Sequence, residues 1–511
     1  MSKLKSSDAI KSVEASGRDI FQTYLVIGVP AIVGLMLYPF IIANLGIVKF
    51  GIFSSLIAFS MFLATMDLGS SIAINREIAK LSGKMALTDI RMHIVAAILV
   101  VATITFLLII GVLVVSLIIP NSFLAIGLSE NSNEYKNALK IILITVPFHI
   151  ATSIFRGAYD GLGNYYRSNI LKLCIVFCSV ILPVIFTFFT DSLVKIFLGV
   201  FFARITVFII FSLDFKLASS FFRFIKINSE RVIVVGYIRT LTKFGIWTFV
   251  ASLAGGAMIT GIIDRFFVIQ ILDVDQLYYI AISFDLINRL SLLPAALSVM
   301  VLGFLSIKNT YNFGNVKSNI KNCINIYGMQ MLPIVCIGIL NLEAILGFIV
   351  GQEEVDISKL CVILTPMLVG IYFNSIAQIL AMLLYERGDP HIAASRHLIQ
   401  IPLYALVSFG IVSAGRIDLI GYAWCCLVII DYFFLIAICH FRYQLKNFLR
   451  DILISREFFI ALPIILATII VNVYKVNPFD LLLSFLFLAS LVNSLFKIFL
   501  SKKPFSLLVD Q

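Results

Sequence analysis

Four charged side chains lie near the middle of long apolar stretches of the sequence, where a charge is costly to place. Arg204 is in the middle of "LVKIFLGVFFARITVFIIFSL" (193–213), Asp285 and Arg289 share the stretch 277–305, and Asp431 lies in "GYAWCCLVIIDYFFLIAIC" (421–439). A guanidinium keeps its charge at any physiological pH and binds phosphate through two parallel hydrogen bonds. The two arginines are therefore candidates to bind an anionic group inside the protein.

The depth and spacing of these four residues leave two interpretations open. If each stretch is a helix that crosses a membrane, Arg204 lies about 17 Å from the outer end, and Arg289 reaches a similar depth. Both are then near the middle of a hydrocarbon core about 30 Å thick. The charges either form ion pairs, Asp285 with Arg289 one helical turn away and Arg204 with Asp431 across two lobes, or the arginines line a central cavity with the acids as partners or proton-coupled groups.

Other charged residues lie where apolar stretches end. Asp67 ends the second stretch and Arg76 follows it, a pattern typical of a membrane exit with basic side chains reaching the interface, or of a cytoplasmic gate. Arg156 and Asp160, at the end of the fourth stretch, are further gate candidates.

Asp264 and Arg265 are neighbours at the predicted outer end of the seventh stretch. The simpler prediction is an ion pair at the rim of the membrane. Alternatively, Asp264 is a coupling acid together with Asp285 and Asp431, and Arg265 is a gate residue.

No pattern of metal ligands or of a bound cofactor occurs. The eight cysteines lie mostly within apolar runs and are predicted to be buried, inert thiols, and the five histidines are scattered. We expect no metal and no cofactor, with H⁺ or Na⁺ as the option for a coupling ion.

The elements that position these residues are predicted from composition. Of the 511 residues, 60% are hydrophobic and 13% are charged, whereas soluble domains carry roughly 25% charged residues. Long apolar runs recur from residue 22 to residue 500, which indicates an all-α polytopic membrane protein. About fourteen transmembrane helices are predicted, near 22–45, 49–67, 92–119, 138–157, 168–189, 193–213, 237–262, 278–305, 320–341, 361–384, 395–414, 418–440, 457–475 and 479–499.

The basic residues assign an orientation to these helices. With the N-terminus in the cytoplasm, 29 of the 39 lysines and arginines fall on the cytoplasmic side and eight on the other, leaving Arg204 and Arg289 within spans. This bias follows the positive-inside rule and places both termini in the cytoplasm. It also accounts for the net charge of +11 without a nucleic-acid partner.

A repeat divides the chain into two lobes of six helices. "FRGAYDGLGNYYRSNILK" (155–172) and "YERGDPHIAASRHLIQ" (385–400) both place Arg-Gly and Asp at a helix exit, with an Arg before the next span. An even number of helices per lobe gives a parallel repeat, a plan typical of transporters. We predict a cytoplasmic tail (1–21), an N-lobe (22–213), an inter-lobe loop (214–236), a C-lobe (237–440), and two further helices with a cytoplasmic tail (441–511).

Three segments resemble one known family. "MDLGSSIAINREIAKL" (66–81), "FRGAYDGLGNYYRSNILK" (155–172) and "DRFFVIQILDVDQLYYIAISFDLINRLSLLPAALS" (264–298) are similar to Wzx-type O-antigen flippases, of the multidrug/oligosaccharidyl-lipid/polysaccharide (MOP) exporter superfamily. The resemblance covers nearly the whole chain. It implies a bacterial inner-membrane flippase, not an enzyme, that moves an undecaprenyl-pyrophosphate-linked oligosaccharide by alternating access.

The resemblance also implies partners and a site. The expected partners are the lipid-linked oligosaccharide, membrane lipids and other polysaccharide assembly proteins. Relatives have a cation-lined central cavity, for which Arg204 and Arg289 are the candidates here. A cation-coupled multidrug exporter and a lipid II flippase of the same superfamily are the alternatives, and a polytopic polysaccharide polymerase or ligase is a more distant one.

Overall fold

The computed structural model describes residues 36–64, 70–83, 132–214, 257–272, 274–310, 316–350 and 355–442, with parts of 22–34, 247–251, 461–469 and 483–493 and the single residue Thr103. Within these residues all regular structure is helical. A helix satisfies each backbone hydrogen bond within its own segment, which is what an apolar chain needs in a lipid environment. Seven of the described helices are long and apolar enough to cross a membrane.

Twelve helices organise the described residues, and we number them in chain order. They are α1 (Tyr38–Ala64), α2 (Ser70–Gly83), α3 (Ser132–Gly161), α4 (Tyr165–Thr187), α5 (Leu193–Asp214), α6 (Ala257–Ile271), α7 (Leu277–Thr310), α8 (Val316–Leu340), α9 (Leu342–Val350), α10 (Ile357–Arg387), α11 (Pro390–Ser413) and α12 (Ile420–Arg442). We call α1–α5 the N-terminal half and α6–α12 the C-terminal half.

Successive turns lie at opposite ends of the bundle. At the end predicted to face outside, the outer end, Lys49 lies 3.6 Å from Asp191 and the backbone of Leu193 donates to Glu134 (2.6 Å). These contacts bring together the bend within α1, the α4–α5 turn and the start of α3. Within α1 the bend is at Gly46, whose φ of 74° is readily adopted only by glycine. Such antiparallel neighbours are what short connections predict.

Two of the differences from the predicted spans concern candidate site residues. α6 continues to Ile271, nine residues beyond the predicted end at 262, because the apolar pattern runs past Asp264 and Arg265. The segment after Asp67, predicted as a polar membrane exit, contains the 14-residue helix α2. Asp67 itself lies outside the described residues.

Glycines allow several helices to approach closely. Gly157 and Gly161 are one turn apart on α3, and a Cβ on Gly157 would overlap the backbone of Ser71, on α2. A Cβ on Gly161 would come within 2.9 Å of the carbonyl oxygen of Asn75. This small-xxx-small pattern packs helices where the hydrophobic effect contributes little.

The two halves meet along α1 and α7. Phe50 packs edge-on against Tyr278 with ring centroids 5.8 Å apart, and a Cβ on Gly51 would lie 3.5 Å from the side chain of Leu277. Tyr38 in turn packs against Phe50 (5.4 Å). Several polar side chains lie beside this contact between α1 and α7.

Candidate functional site

A polar cluster joins the two halves beside the α1–α7 contact. It consists of Tyr38 and Ser54 from α1, Arg265 from α6, and Asp285 and Arg289 from α7, and we call it the inter-half cluster. Asp285 accepts hydrogen bonds from Arg265 Nη2 (2.9 Å), Ser54 (2.6 Å) and Tyr38 (3.1 Å). A single carboxylate on α7 therefore holds groups from two other helices, α1 and α6.

The predicted ion pair between Asp285 and Arg289 is wrong. The acid pairs with Arg265 on the neighbouring helix, and the Tyr38 hydroxyl lies between Asp285 and Arg289. That hydroxyl accepts from Arg289 Nε (3.1 Å) and Nη2 (2.9 Å), and the guanidinium carbon lies 4.8 Å from the ring centroid of Tyr38. The buried Nη1 of Arg289 has no hydrogen-bond partner among the described residues.

The charges of the inter-half cluster do not balance. The cluster contains two guanidinium groups and one carboxylate, which gives it a formal charge of +1. Asp285 and Arg289 lie about 12 and 18 Å along α7 from its outer end at ~1.5 Å per residue, near the middle of a bilayer. Such a position favours an anion that approaches between the halves, because the attraction between charges strengthens away from water.

The predicted rim pair of Asp264 and Arg265 is also wrong. Adjacent residues on a helix point in different directions, and here both side chains are buried. Arg265 faces α7, whereas Asp264 faces α11 and accepts hydrogen bonds from Tyr404 (2.7 Å) and Ser408. Arg265, predicted as a gate residue, therefore belongs to the inter-half cluster.

Arg204 and Asp431 do not pair. Arg204 lies within the N-terminal half and donates through Nη2 to Ser179 on α4. Asp431 lies 3.0 Å from Arg396 Nη1 and accepts from Gln400 (2.7 Å), both on α11. The count of basic residues places Arg396 on the cytoplasmic side, but it is 6% exposed. Arg396 lies about one and a half turns into α11, where its side chain faces Asp431 on α12.

Of the predicted gate residues, Arg76 joins the two halves at the inner end. Its Nε and Nη2 donate to the backbone carbonyl of Glu386 (3.3 and 3.2 Å), at the C-terminus of α10. Gly388 follows in the left-handed conformation, with φ 82°, and a Cβ there would come within 3.0 Å of Arg76 Nη2. A cation at this position also interacts favourably with the negative end of the helix dipole.

Among the described residues, the gate candidates Asp160 and Arg156 do not link the halves. Asp160 accepts from Ser168 (2.5 Å) and Lys172 (3.1 Å), and all three belong to the α3–α4 hairpin. Arg156 is half-buried in the same hairpin, with no ion pair to any residue that the structure describes.

Several residues of these sites were not predicted. Tyr38 and Ser54 are ordinary members of an apolar stretch, and only the fold brings them to Asp285. Arg396 offered a signal, because the predicted span 395–414 contains it, whereas the count of basic residues places it on the cytoplasmic side.

Comparisons with known proteins agree with this fold. No known family profile matches the sequence. The chain is 25% identical over 410 residues to the "Putative O-antigen transporter" of Shigella flexneri, covering 79% of this chain and 92% of that protein. The resemblance noted in the sequence motifs is therefore confirmed.

Solved structures with a similar fold are MOP-superfamily and MATE transporters. A MOP superfamily transporter from Pyrococcus furiosus is 11% identical, covers 87% of this chain and 99% of its own, and has a TM-score of 0.53. The eukaryotic MATE transporter AtDTX14 is 12% identical, covers 88% of this chain and 97% of its own, and has a TM-score of 0.57. At these identities the likeness shows the fold, which is that of multi-pass membrane transporters.

Proposed function

We propose that this chain, with its MOP-superfamily fold, is a flippase that moves an undecaprenyl-pyrophosphate-linked oligosaccharide across the bacterial inner membrane by alternating access. The observation that carries the proposal is the excess positive charge of the inter-half cluster. The similarity to an O-antigen transporter supports the same substrate class.

The chemistry of the cluster fits a pyrophosphate. A sugar pyrophosphate is polar and multiply charged, so it needs fixed counter-charges inside the membrane. Arg265 is neutralised by Asp285, which leaves Arg289 as the cation without a carboxylate. Its unpartnered Nη1 is the group that would donate to a phosphate oxygen. Arginine suits this task because its charge is independent of pH and its geometry matches phosphate.

Movement of the halves would act on these same contacts. Alternating access requires the halves to part at one end at a time. The hydrogen bonds from Tyr38 and Ser54 to Asp285 cross between the halves and would break when α1 moves away from α7. At the inner end, Arg76 would release the C-terminus of α10. We assign Arg76 the role of a gate residue.

A coupling ion would act in the C-terminal half. Asp264 is fully buried, and its hydrogen-bond partners in the described structure are two hydroxyl groups rather than an arginine. A buried carboxylate that accepts hydrogen bonds only from hydroxyl groups in the described structure is suited to take up H⁺ or Na⁺. Asp431 is less suited, because Arg396 already neutralises it.

A multidrug exporter is the competing function. Its substrates are usually cationic, and a cavity for them would carry excess negative charge. The inter-half cluster has the opposite sign, which favours an anionic substrate.

The test is complementation of a bacterial strain that lacks its own flippase for surface polysaccharide. We expect Arg289→Ala to reduce surface polysaccharide about ten-fold or more, since a hydrogen bond to a charged group contributes about 1.5–3 kcal/mol. Arg289→Lys tests whether charge alone suffices. Arg416→Ala is the matched control, because Arg416 pairs with Asp418 on the exposed α11–α12 turn. Wild-type polysaccharide with Arg289→Ala, at equal amounts of membrane protein, would contradict the proposal.

A further inference from the structure

A closed ring of four polar side chains links α11 and α12 in the C-terminal half. Arg396 Nη1 lies 3.0 Å from Asp431 Oδ2, and Arg396 Nη2 lies 2.6 Å from Nε2 of His397. His397 Nδ1 lies 3.2 Å from Gln400 Oε1, and Gln400 Nε2 donates to Asp431 Oδ1 (2.7 Å). Each side chain contacts the next, and the last contacts the first. We call these four residues the α11–α12 ring.

The neighbours of His397 determine which of its nitrogens carries the proton. A guanidinium can only donate hydrogen bonds, so Nε2 of His397 accepts from Arg396 and carries no proton. An ionised carboxylate can only accept, so the Gln400 amide turns its nitrogen to Asp431 and its oxygen to His397. Nδ1 of His397 therefore carries the proton and donates to that oxygen. The α11–α12 ring closes only when His397 is neutral.

The titratable and charged groups around His397 come from its own helix and from three neighbouring helices. Arg396, on α11, places its guanidinium against the nitrogen that would take a second proton. Asp431 on α12 is already paired with that guanidinium, and Tyr385 on α10 interacts electrostatically with both members of the pair. On α6, Asp264 meets α11 about two turns further along. A proton on Nε2 would place an imidazolium against a guanidinium, and like charges in contact repel each other.

We propose that His397 is a pH-sensitive switch, which closes the α11–α12 ring when it is neutral and opens the ring when it is protonated. On protonation Nε2 becomes a donor, so its contact with Arg396 is lost and the two cations separate. The side chain that joins Arg396 to Gln400 is then withdrawn, and α12 is held less firmly against α11. This switch is independent of the substrate that the protein carries.

The position of His397 determines which side of the membrane the switch responds to. His397 is half-buried, and it lies seven residues after Pro390, the first residue of α11. That spacing places it about 10 Å from the inner end of the helix. The inner side is therefore the nearer source of protons, and the switch would respond to the pH there.

The test uses Trp424, on α12, to report how this helix packs. The chain has two tryptophans, so Trp247→Phe leaves Trp424 alone, and we call this variant the parent protein. Trp424 is fully buried and packs against Gly370 on α10, where a Cβ would lie 2.7 Å from its indole. It lies about two turns before Asp431 on the same helix. Movement of α12 therefore changes the fluorescence emission of Trp424.

The full-length parent protein is measured in detergent between about pH 8 and pH 5, the range around the ordinary titration of histidine. We expect Trp424 emission to shift to longer wavelength and Tm to fall as the pH falls. The closed ring excludes a proton that the unfolded chain can bind, so acid favours unfolding. His397→Gln keeps an acceptor for Arg396 but takes up no proton, so both responses should shrink several-fold. His391→Gln, an exposed position on the same helix, is the matched control and should keep both responses.

Two outcomes would overturn the switch. One is an equal pH response in His397→Gln and the parent protein, and the other is a parent protein whose emission and Tm do not change with pH. If His397→Gln does not accumulate, Arg396→Lys is the second variant. A lysine keeps a charge for Asp431, but its single nitrogen cannot contact Asp431 and His397 as the guanidinium does. The pH response should again shrink, and an unchanged response in Arg396→Lys would contradict the switch.

Discussion

At the scale of single residues, the partner of each buried charge determines what it can do. Asp285 forms an ion pair with Arg265, which neutralises both groups. The positive charge of Arg289 therefore has no carboxylate partner among the described residues. Asp431 is likewise bound to Arg396. Asp264 has only hydroxyl partners among the described residues. Asp285 and Asp431 are therefore suited to form structural ion pairs, whereas Asp264 is suited to take up a coupling ion.

The pairing of Asp285 predicts a specific energetic coupling. Arg265→Gln or Asp285→Asn alone should each destabilise the protein by about 3–5 kcal/mol, because each leaves the other charge buried without its partner. The double variant should lose less than the sum, by about 1–3 kcal/mol. Thermal unfolding in detergent provides the measurement. The pair Arg289→Gln and Asp285→Asn is the control and should couple more weakly, since a tyrosine hydroxyl lies between the two groups. Stronger coupling in the control pair would contradict the pairing seen here.

At the scale of elements, glycines decide which helices can pack closely. α2 lies against α3 because Gly157 and Gly161 present no side chain at the contact. That contact positions Arg76, on the same helix, next to the C-terminus of α10. The close packing of α2 against α3 in the N-terminal half therefore places Arg76 where it reaches the C-terminal half.

Adding a side chain at this contact should weaken the packing. We expect Gly157→Ala to destabilise the protein by about 1–3 kcal/mol, because a methyl group would overlap the backbone of α2 and force the helices apart. Gly410→Ala is the matched control on α11, where a Cβ would meet nothing within 4 Å. That control should leave stability unchanged or slightly raised. Equal effects of the two substitutions on Tm would rule out the close contact.

At the scale of the whole molecule, polar contacts join the halves at two levels within the described residues. The inter-half cluster joins them at mid-depth, and Arg76 joins them at the end predicted to face the cytoplasm. Transport by alternating access would have to break these two sets of contacts in turn. The proposed substrate site and the proposed gate are thus parts of one interface.

Removing Arg76 should loosen the inner end. We expect Arg76→Ala to increase amide hydrogen exchange at the C-terminus of α10 and also in α2, because the contact between them is lost. Hydrogen–deuterium exchange followed by mass spectrometry measures both segments. Arg442→Ala is the matched control, since Arg442 binds Asp389 (3.1 Å) next to the same helix end but within the C-terminal half. The control should leave exchange in α2 unchanged. An unchanged α2 in Arg76→Ala as well would argue against the gate.

The class of fold and the identity of the buried charges follow from the amino-acid sequence alone. Long apolar runs must form helices in a membrane, because each backbone group has to be satisfied within its own segment. Arg204, Arg289, Asp285 and Asp431 stand out for the same local reason, since each interrupts an apolar run. Counting basic residues is less reliable near helix ends, because it places Arg265 on the outer side and Arg396 on the cytoplasmic side, whereas both side chains are buried in the bundle.

The partners of those charges depend on the packing of helices that are distant in the chain. Asp285 meets Tyr38, 247 residues earlier, and Arg265 on the adjacent helix, whereas its neighbour one turn away does not pair with it. Spacing along one helix indicates which residues share a face, but the rotation of that helix against its neighbours decides which face meets which. An arginine in the middle of a span therefore predicts that a counter-charge or a ligand is needed. The tertiary structure distinguishes Arg265 and Arg396, which have a counter-charge, from Arg204 and Arg289, which have none in the described structure.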